Sequence, residues 1–255
     1  MPAALRLEVQ LFLLAVQYLT RLPVPRDLPV SDDLMVRAVK YHPAVGALVG
    51  GIGALVLWAA VPVLPWSAAL ILSLAATLLA TAAFHEAGLA DAAEGLAVGR
   101  DRAEVMSIMD GTRLGTYGAL ALSLVTGLKL ALLSGFPPEV AGAALIAGHA
   151  VGRMASVHVT LTTVYARSEG MQKFVPKVTP DGYRVALAIT LLVLAGLTLE
   201  VGGGATICAF LVGTVLAQAF RAWFVARIDG YTGDCLGGSQ QTGELGVYLG
   251  LALWL

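Results

Sequence analysis

Apolar residues in this chain come in long unbroken runs, and the runs come in pairs. Ala44 to Leu64 and Ser67 to Ala83 are separated only by Pro65 and Trp66; Tyr117 to Ser134 and Glu139 to Leu161 by residues 135–138; and Arg184 to Leu199 and Ala205 to Phe224 by residues 200–204. Most of these runs approach the roughly 17 to 25 residues that a helix needs to cross a bilayer core of about 30 Å. A turn of a few residues makes two helices antiparallel neighbours, so the pattern predicts three transmembrane hairpins. Two lesser segments flank them. Leu5 to Leu19 is interrupted by Arg6, Glu8, Gln10 and Gln17, and a helix of about 15 residues rises only about 22 Å. It reads as an interfacial or partly inserted helix, ended by the extended exit that Pro23 and Pro25 force. Leu245 to Leu255 is too short to cross and reads as a short C-terminal helix packed on the others. The expected fold is all-α: a polytopic integral membrane helical bundle forming one catalytic domain over residues 1–255.

Composition agrees. The chain is 58% hydrophobic and 13% charged, with a mean hydropathy of +0.80, far from the roughly 25% charged content of soluble domains. A net charge of −1 provides no basic field for nucleic acid. None of the three short turns carries Lys or Arg, and the charges nearest them are Glu139 and Glu200, so most of the 16 basic residues fall in the longer links. The positive-inside rule then places those links in the cytoplasm. Cys208 lies in an apolar run and Cys235 in a polar stretch, which argues against a disulfide. No small-residue cleavage site follows the first apolar segment, so it is not read as a removed signal peptide. The small-residue run Gly46 to Gly53 suits close helix contacts.

Candidate chemistry concentrates between Phe84 and Gly118. Six of the 17 carboxylates (Glu86, Asp91, Glu94, Asp101, Glu104, Asp110) fall within 25 residues there. Arg100, Arg102 and Arg113 do not balance them, so a divalent cation is the expected partner. On a helix continuing past Phe84, Asp91 and Glu94 share a face and offer oxygen ligands; the competing reading is a solvated helix end. His85 and Glu86 fall where the apolar run meets water, which suits capping or snorkelling as well as catalysis. Arg153, His149 and His158 interrupt an apolar helix. A charge at that depth costs about 2.5 to 3.5 kcal/mol on insertion scales and so faces a polar cavity or a partner. Lys129 reads as snorkelling. Asp229, Asp234 and Glu244 add carboxylates in a final polar stretch whose glycines at 230, 233, 237 and 238 predict a backbone-exposed turn suited to phosphate, or a linker. There is no Walker loop and no zinc spacing.

Five motifs in order carry a resemblance: T-R-L-P-V-P from 20, F-H-E-x-G-L-A-D-x-x-E-G from 84, R-L-G-T-Y-G-A-L-A-L from 113, Y-A-R-x-E-G from 165 and G-Y-T-G-D-C-L-G from 230. Together they resemble the adenosylcobinamide-GDP ribazoletransferase (cobalamin synthase) family, nearly end to end. The resemblance implies a Mg²⁺-dependent bacterial or archaeal inner-membrane enzyme with its active site facing the cytoplasm. It would join adenosylcobinamide-GDP to α-ribazole or α-ribazole 5′-phosphate and release GMP, amid membrane lipid and with homo-oligomerisation left open. Asp91 and Glu94 are then expected at the metal, with Asp110 and Asp234 as further ligands. Arg113 is expected at the reacting phosphates. Arg100, Arg153, Arg167, Gly230, Thr232 and Gly233 are expected around phosphate or nucleotide, with His85 or Glu86 as general base. The chain departs from the family pattern in three places: Ala87 and Glu94 stand where Asp is expected, Gly111 stands at an acidic position with Asp110 one residue early, and Asp229 stands where Gly is expected. A CDP-alcohol phosphotransferase would use similar carboxylates, but its D-G-x-x-A-R motif is unmatched. A transporter is the non-enzyme alternative.

Overall fold

The structure, a computed structural model, describes residues 3–111, 113–167 and 174–255. Its elements are α1 (Ala3–Leu19), α2 (Asp32–Ala38), a 3-10 turn (Val39–Tyr41), α3 (His42–Ala60), α4 (Trp66–Thr81), α5 (Phe84–Val98), α6 (Arg102–Met109), α7 (Thr116–Ser134), α8 (Pro138–Thr162), α9 (Pro180–Ile228) and α10 (Gly233–Trp254). Among the described residues there is no strand, only one isolated parallel bridge between Tyr165 and Tyr231. The chain is an integral membrane helical bundle. Among the described residues, four helices are long and apolar enough to cross a membrane, five if the bent pair α4–α5 counts as one crossing.

The three expected hairpins are present. The first two are fastened to each other at their turn ends by indole N–H groups: Trp58 Nε1 on α3 donates to Pro138 O on α8 and Trp66 Nε1 on α4 to Ser134 O on α7, both at 3.0 Å. The third is a single helical run of 49 residues broken at Gly202, whose φ of 81° and ψ of 164° are not helical. Thr198 Oγ1 lies 3.1 Å from Thr206 Oγ1, whereas eight residues of straight helix span about 12 Å. The chain therefore doubles back at Gly202. The N-terminal helix also forms as expected, moored by Glu8, which accepts from Tyr41 Oη at 2.7 Å and pairs with Lys40 at 2.6 Å.

Two expectations fail. The stretch after Asp229 is not a glycine-rich turn followed by a short helix. It is α10, a 22-residue helix capped by Thr232, whose hydroxyl accepts from Cys235 N–H at 3.3 Å. Its glycines serve packing. An added methyl at Gly246 would stand 2.6 Å from Gly213 Cα, and one at Gly250 2.6 Å from Ala209 Cα, so α10 lies almost backbone-on-backbone against α9. It also touches α5, α7 and α8, which makes it the central helix. The helix expected past Phe84 is present as α5, but it does not run straight on from α4. Ala82 and Ala83 adopt φ of 51° and 53°, and α5 leaves α4 at 87°. That bend carries His85 and Glu86 into the bundle instead of leaving them at its edge.

α3 and α8 also meet at backbone distance, because Gly50 has no side chain where the Leu145 carbonyl passes. A methyl there collides with main-chain atoms that cannot rotate away. Gly50→Ala is therefore expected to cost about 1 to 3 kcal/mol, read as a lowered thermal midpoint in detergent. Gly51→Ala, which meets nothing within 4 Å, should not lower the midpoint and should raise it slightly through alanine's better helix propensity.

Candidate active site

The site is built where α5 crosses α10. A methyl added at Gly88 would lie 3.1 Å from Asp234 Cα, and one at Gly237 would lie 2.9 Å from His85 O. Only glycines allow this approach, and it sets Asp91 near Asp234. Burial first, and the charge of Asp91 second, push the Asp234 carboxyl up to about 6. Asp234 lies in the first turn of α10, at its loop end. Thr232 Oγ1 orients it by donating to Oδ2 at 3.3 Å.

Arg167 arrives on a loop stitched alongside. Ala166 N donates to Tyr231 O and Tyr231 N to Val164 O, both at 2.9 Å, with Gly230 bare where the Val164 carbonyl passes. The Arg167 guanidinium pairs with Asp110 and lies 3.5 Å from Asp234 Oδ2. Arg167 thus links Asp110 and Asp234 from separate stretches, and Asp91 stands on the α5 side of the same crossing, near enough to Asp234 for its charge to be felt. Asp229 caps α9 at φ 54°, a left-handed conformation in which Asp substitutes tolerably for the expected Gly.

Other expected residues lie elsewhere. Glu94 Oε2 accepts from Gly118 N–H at 2.9 Å, so this carboxylate caps the start of α7. Among the described residues no three His, Cys, Asp or Glu side chains converge as a metal site. Arg100 and Arg113 are exposed, and Ala87 is exposed one turn before Asp91. Thr232 is wholly buried as the α10 cap.

Inside the bundle lies a polar cluster that the sequence reading did not assemble. Lys129 does not snorkel: its Nζ sits 2.8 Å from Glu244 Oε1 and donates to Gln241 Oε1 at 2.8 Å. Glu244, expected in a loop, is fully buried and also accepts from Gln240 Nε2 and Tyr248 Oη. Gln241 Nε2 donates to Glu86 Oε1 at 2.8 Å. Arg153 is 2% exposed, and its Nε and Nη2 have no hydrogen-bond partner among the described residues. The guanidinium lines a cavity of about 30 Å³ together with Tyr18, His42, His85 and Ser156. A wider cavity of about 340 Å³, with Gly88 and Asp234 in its wall, shares Tyr18, Phe84, Pro176 and Gly233 with the first. The two are compartments of one cleft, carboxylates outermost and Arg153 innermost. Tyr18 and His42, stacked at 6.0 Å, join this wall from segments with no motif to announce them.

The cobalamin-5-phosphate synthase family model matches residues 11–252. The chain belongs to this family. It is 40% identical over 260 residues to a Leptothrix cholodnii protein named adenosylcobinamide-GDP ribazoletransferase, covering 99% of this chain and 97% of that one. A Ralstonia nicotianae protein of the same name is 41% identical, covering 100% and 99%. One from Shewanella amazonensis is 38% identical, covering 96% of each. No solved structure matches the chain. The cobalamin-5-phosphate synthase motifs around Phe84 and Gly230 are therefore the two halves of one cleft, brought together by α5 and α10.

Removing one partner from a buried ion pair leaves the other charge uncompensated, at a cost of about 3 to 5 kcal/mol. Lys129→Met should accordingly lower the thermal midpoint in detergent sharply. Adding Glu244→Gln to it should restore part of the loss.

Proposed function

We propose that this protein is an adenosylcobinamide-GDP ribazoletransferase, with its chemistry at the Asp91–Asp234 end of the cleft. The observation that carries the site is the meeting of those two carboxylates across the Gly88–Gly237 contact, in a chain that matches the family from end to end. The charge pattern supports placing this end at the cytoplasmic face of an inner membrane, since the basic links lie on its side.

Mg²⁺ fits the donors present. It keeps several waters and needs only one or two carboxylates beside substrate phosphates. Asp91 and Asp234 are hard oxygen donors whose mutual repulsion a cation would relieve. Bound there, Mg²⁺ would supply Lewis acidity and neutralise charge on the pyrophosphate. Arg167, held by Asp110 and Asp234, is placed to accompany the departing GMP phosphate. The ribazole hydroxyl attacks the cobinamide-side phosphorus; a new P–O bond forms as the bond to the GMP phosphate breaks. The hydroxyl proton goes to His85, which lines the cleft, while Glu86 is engaged by Gln241. Catalysis of this kind rests on positioning and charge neutralisation.

Asp91→Asn and Asp234→Asn should each lower Mg²⁺-dependent GMP release roughly 100-fold or more while the protein remains inserted. Full activity in either variant removes that residue from the metal site. Glu94→Gln should instead lower thermal stability and leave the Mg²⁺ half-saturation unchanged. Ala87→Asp adds the carboxylate that the family pattern expects; a gain in activity identifies Ala87 as a lesion, and no change means that Asp91 and Asp234 suffice.

The pH dependence follows from Asp234. Below about 6 its carboxyl is protonated, and a cation must displace that proton. The Mg²⁺ concentration for half-maximal activity should therefore rise as pH falls through 6, about tenfold per unit once protonation dominates. Asp234→Asn should abolish that dependence in whatever activity remains.

A further inference from the structure

We infer that the inner compartment of the cleft is a seat for a terminal phosphate monoester, held by Arg153, and that it takes the 5′-phosphate of a phosphorylated ribazole acceptor. The inference rests on the transferase reading above.

The atom balance calls for such a seat. The relatives are named for adenosylcobinamide-GDP as donor and ribazole as the transferred group, whereas the family is named for cobalamin 5-phosphate as product. Of the two phosphates in the donor pyrophosphate, one becomes the new diester and the other leaves with GMP. A further phosphate in the product must therefore arrive on the acceptor. A chain that makes the phosphorylated product needs a second phosphate site, away from the reacting phosphorus.

Among the described residues, Arg153 is the free cation at such a place. Arg167 stands with Asp110 and Asp234 at the carboxylate end, where it serves the departing GMP phosphate, and Arg100 and Arg113 are exposed. Arg153 is buried, and two of its nitrogens touch no acceptor. Of its carboxylate neighbours, Glu244 is engaged by Lys129, Gln240 and Tyr248, while Glu86 gives Oε1 to Gln241 and keeps Oε2 without a hydrogen bond among the described residues, Arg153 included. The cluster of Arg153, Lys129, Glu86 and Glu244 is formally neutral, so the bundle tolerates the guanidinium, yet its donors are left for something else. Buried donors without partners are costly, and phosphate oxygens satisfy them in pairs.

Shape selects the acceptor over the donor. A monoester is terminal and can lead a molecule into a narrow compartment. The donor pyrophosphate is flanked by cobinamide on one side and guanosine on the other, and the inner cavity of about 30 Å³ does not admit either flank. With its phosphate on Arg153, the acceptor extends past Tyr18 and Gly233, which both compartments share, toward Asp234. Its hydroxyl then reaches the carboxylate end.

The test uses the full chain in detergent with Mg²⁺ and adenosylcobinamide-GDP, following GMP release with α-ribazole and with α-ribazole 5′-phosphate. Arg153→Met should lower kcat/KM for the phosphorylated acceptor about 10- to 100-fold beyond whatever it loses with α-ribazole, with Arg153→Lys between. In the wild type, inorganic phosphate should compete with the phosphorylated acceptor and not with α-ribazole. Ser156→Leu, which narrows the compartment and keeps the charge cluster whole, should repeat the selective loss if Arg153→Met does not fold. Equal losses with both acceptors would place Arg153 at the donor or in the fold and overturn the inference, as would phosphate that fails to compete. GMP release with neither acceptor in the wild type would remove the transferase reading itself.

Discussion

The close approach of α5 and α10 is the constraint on which the rest of this protein depends. Two helices normally stand 8 to 10 Å apart, held off by their side chains. Here Gly88 and Gly237 remove the spacers, and the carboxylates flanking the contact are brought together across it. Repulsion between Asp91 and Asp234 opposes the crossing, so packing elsewhere must hold it. The hydrogen bond from Gln241 to Glu86 and the glycine seam of α10 against α9 do so. Site and scaffold are thus the same contact seen from two sides.

The interior polar cluster follows a related logic. Charged groups in a bundle surrounded by lipid persist when each has partners that water would otherwise provide. Glu244 meets this condition fully, with Lys129, Gln240 and Tyr248 around it. Arg153 does not, and that difference within one cluster separates a structural charge from one reserved for a ligand. A transporter would need such groups along a path between two faces; here they end one cleft whose other end is a set of carboxylates.

Much of this was legible in the sequence. The three hairpins could be read because apolar runs of spanning length with very short links admit few alternatives. Asp91, Asp110, Asp234 and Arg167 could be read as one site because their motifs combine acidic groups and arginine at loop ends. What escaped reading did so for physical reasons. Alanine carries no signal for a left-handed conformation, so the bend at Ala82 and Ala83 was invisible, and with it the inward turn of His85 and Glu86. Glycine usually signals a turn, so the first half of α10 looked like a loop; its glycines answer to neighbouring backbones that a linear string does not display. Lys129 and Glu244 are far apart in the chain, and each alone resembles a surface residue. Glu94 lies beside Asp91 on the helix, but its preference for the start of α7 depends on where that helix begins.

The composition of α10 has a temporal consequence. Six glycines in 22 residues, each about 1 kcal/mol worse than alanine in a helix interior, leave this segment unable to hold a helix without neighbours. Its neighbours α5, α8 and α9 all leave the ribosome before it. The cleft is consequently completed by the element translated after them. A nascent chain carrying Asp91 but not yet Asp234 and Glu244 has an unfinished pocket and no chemistry, and the late helix acts as the closing stitch of biogenesis.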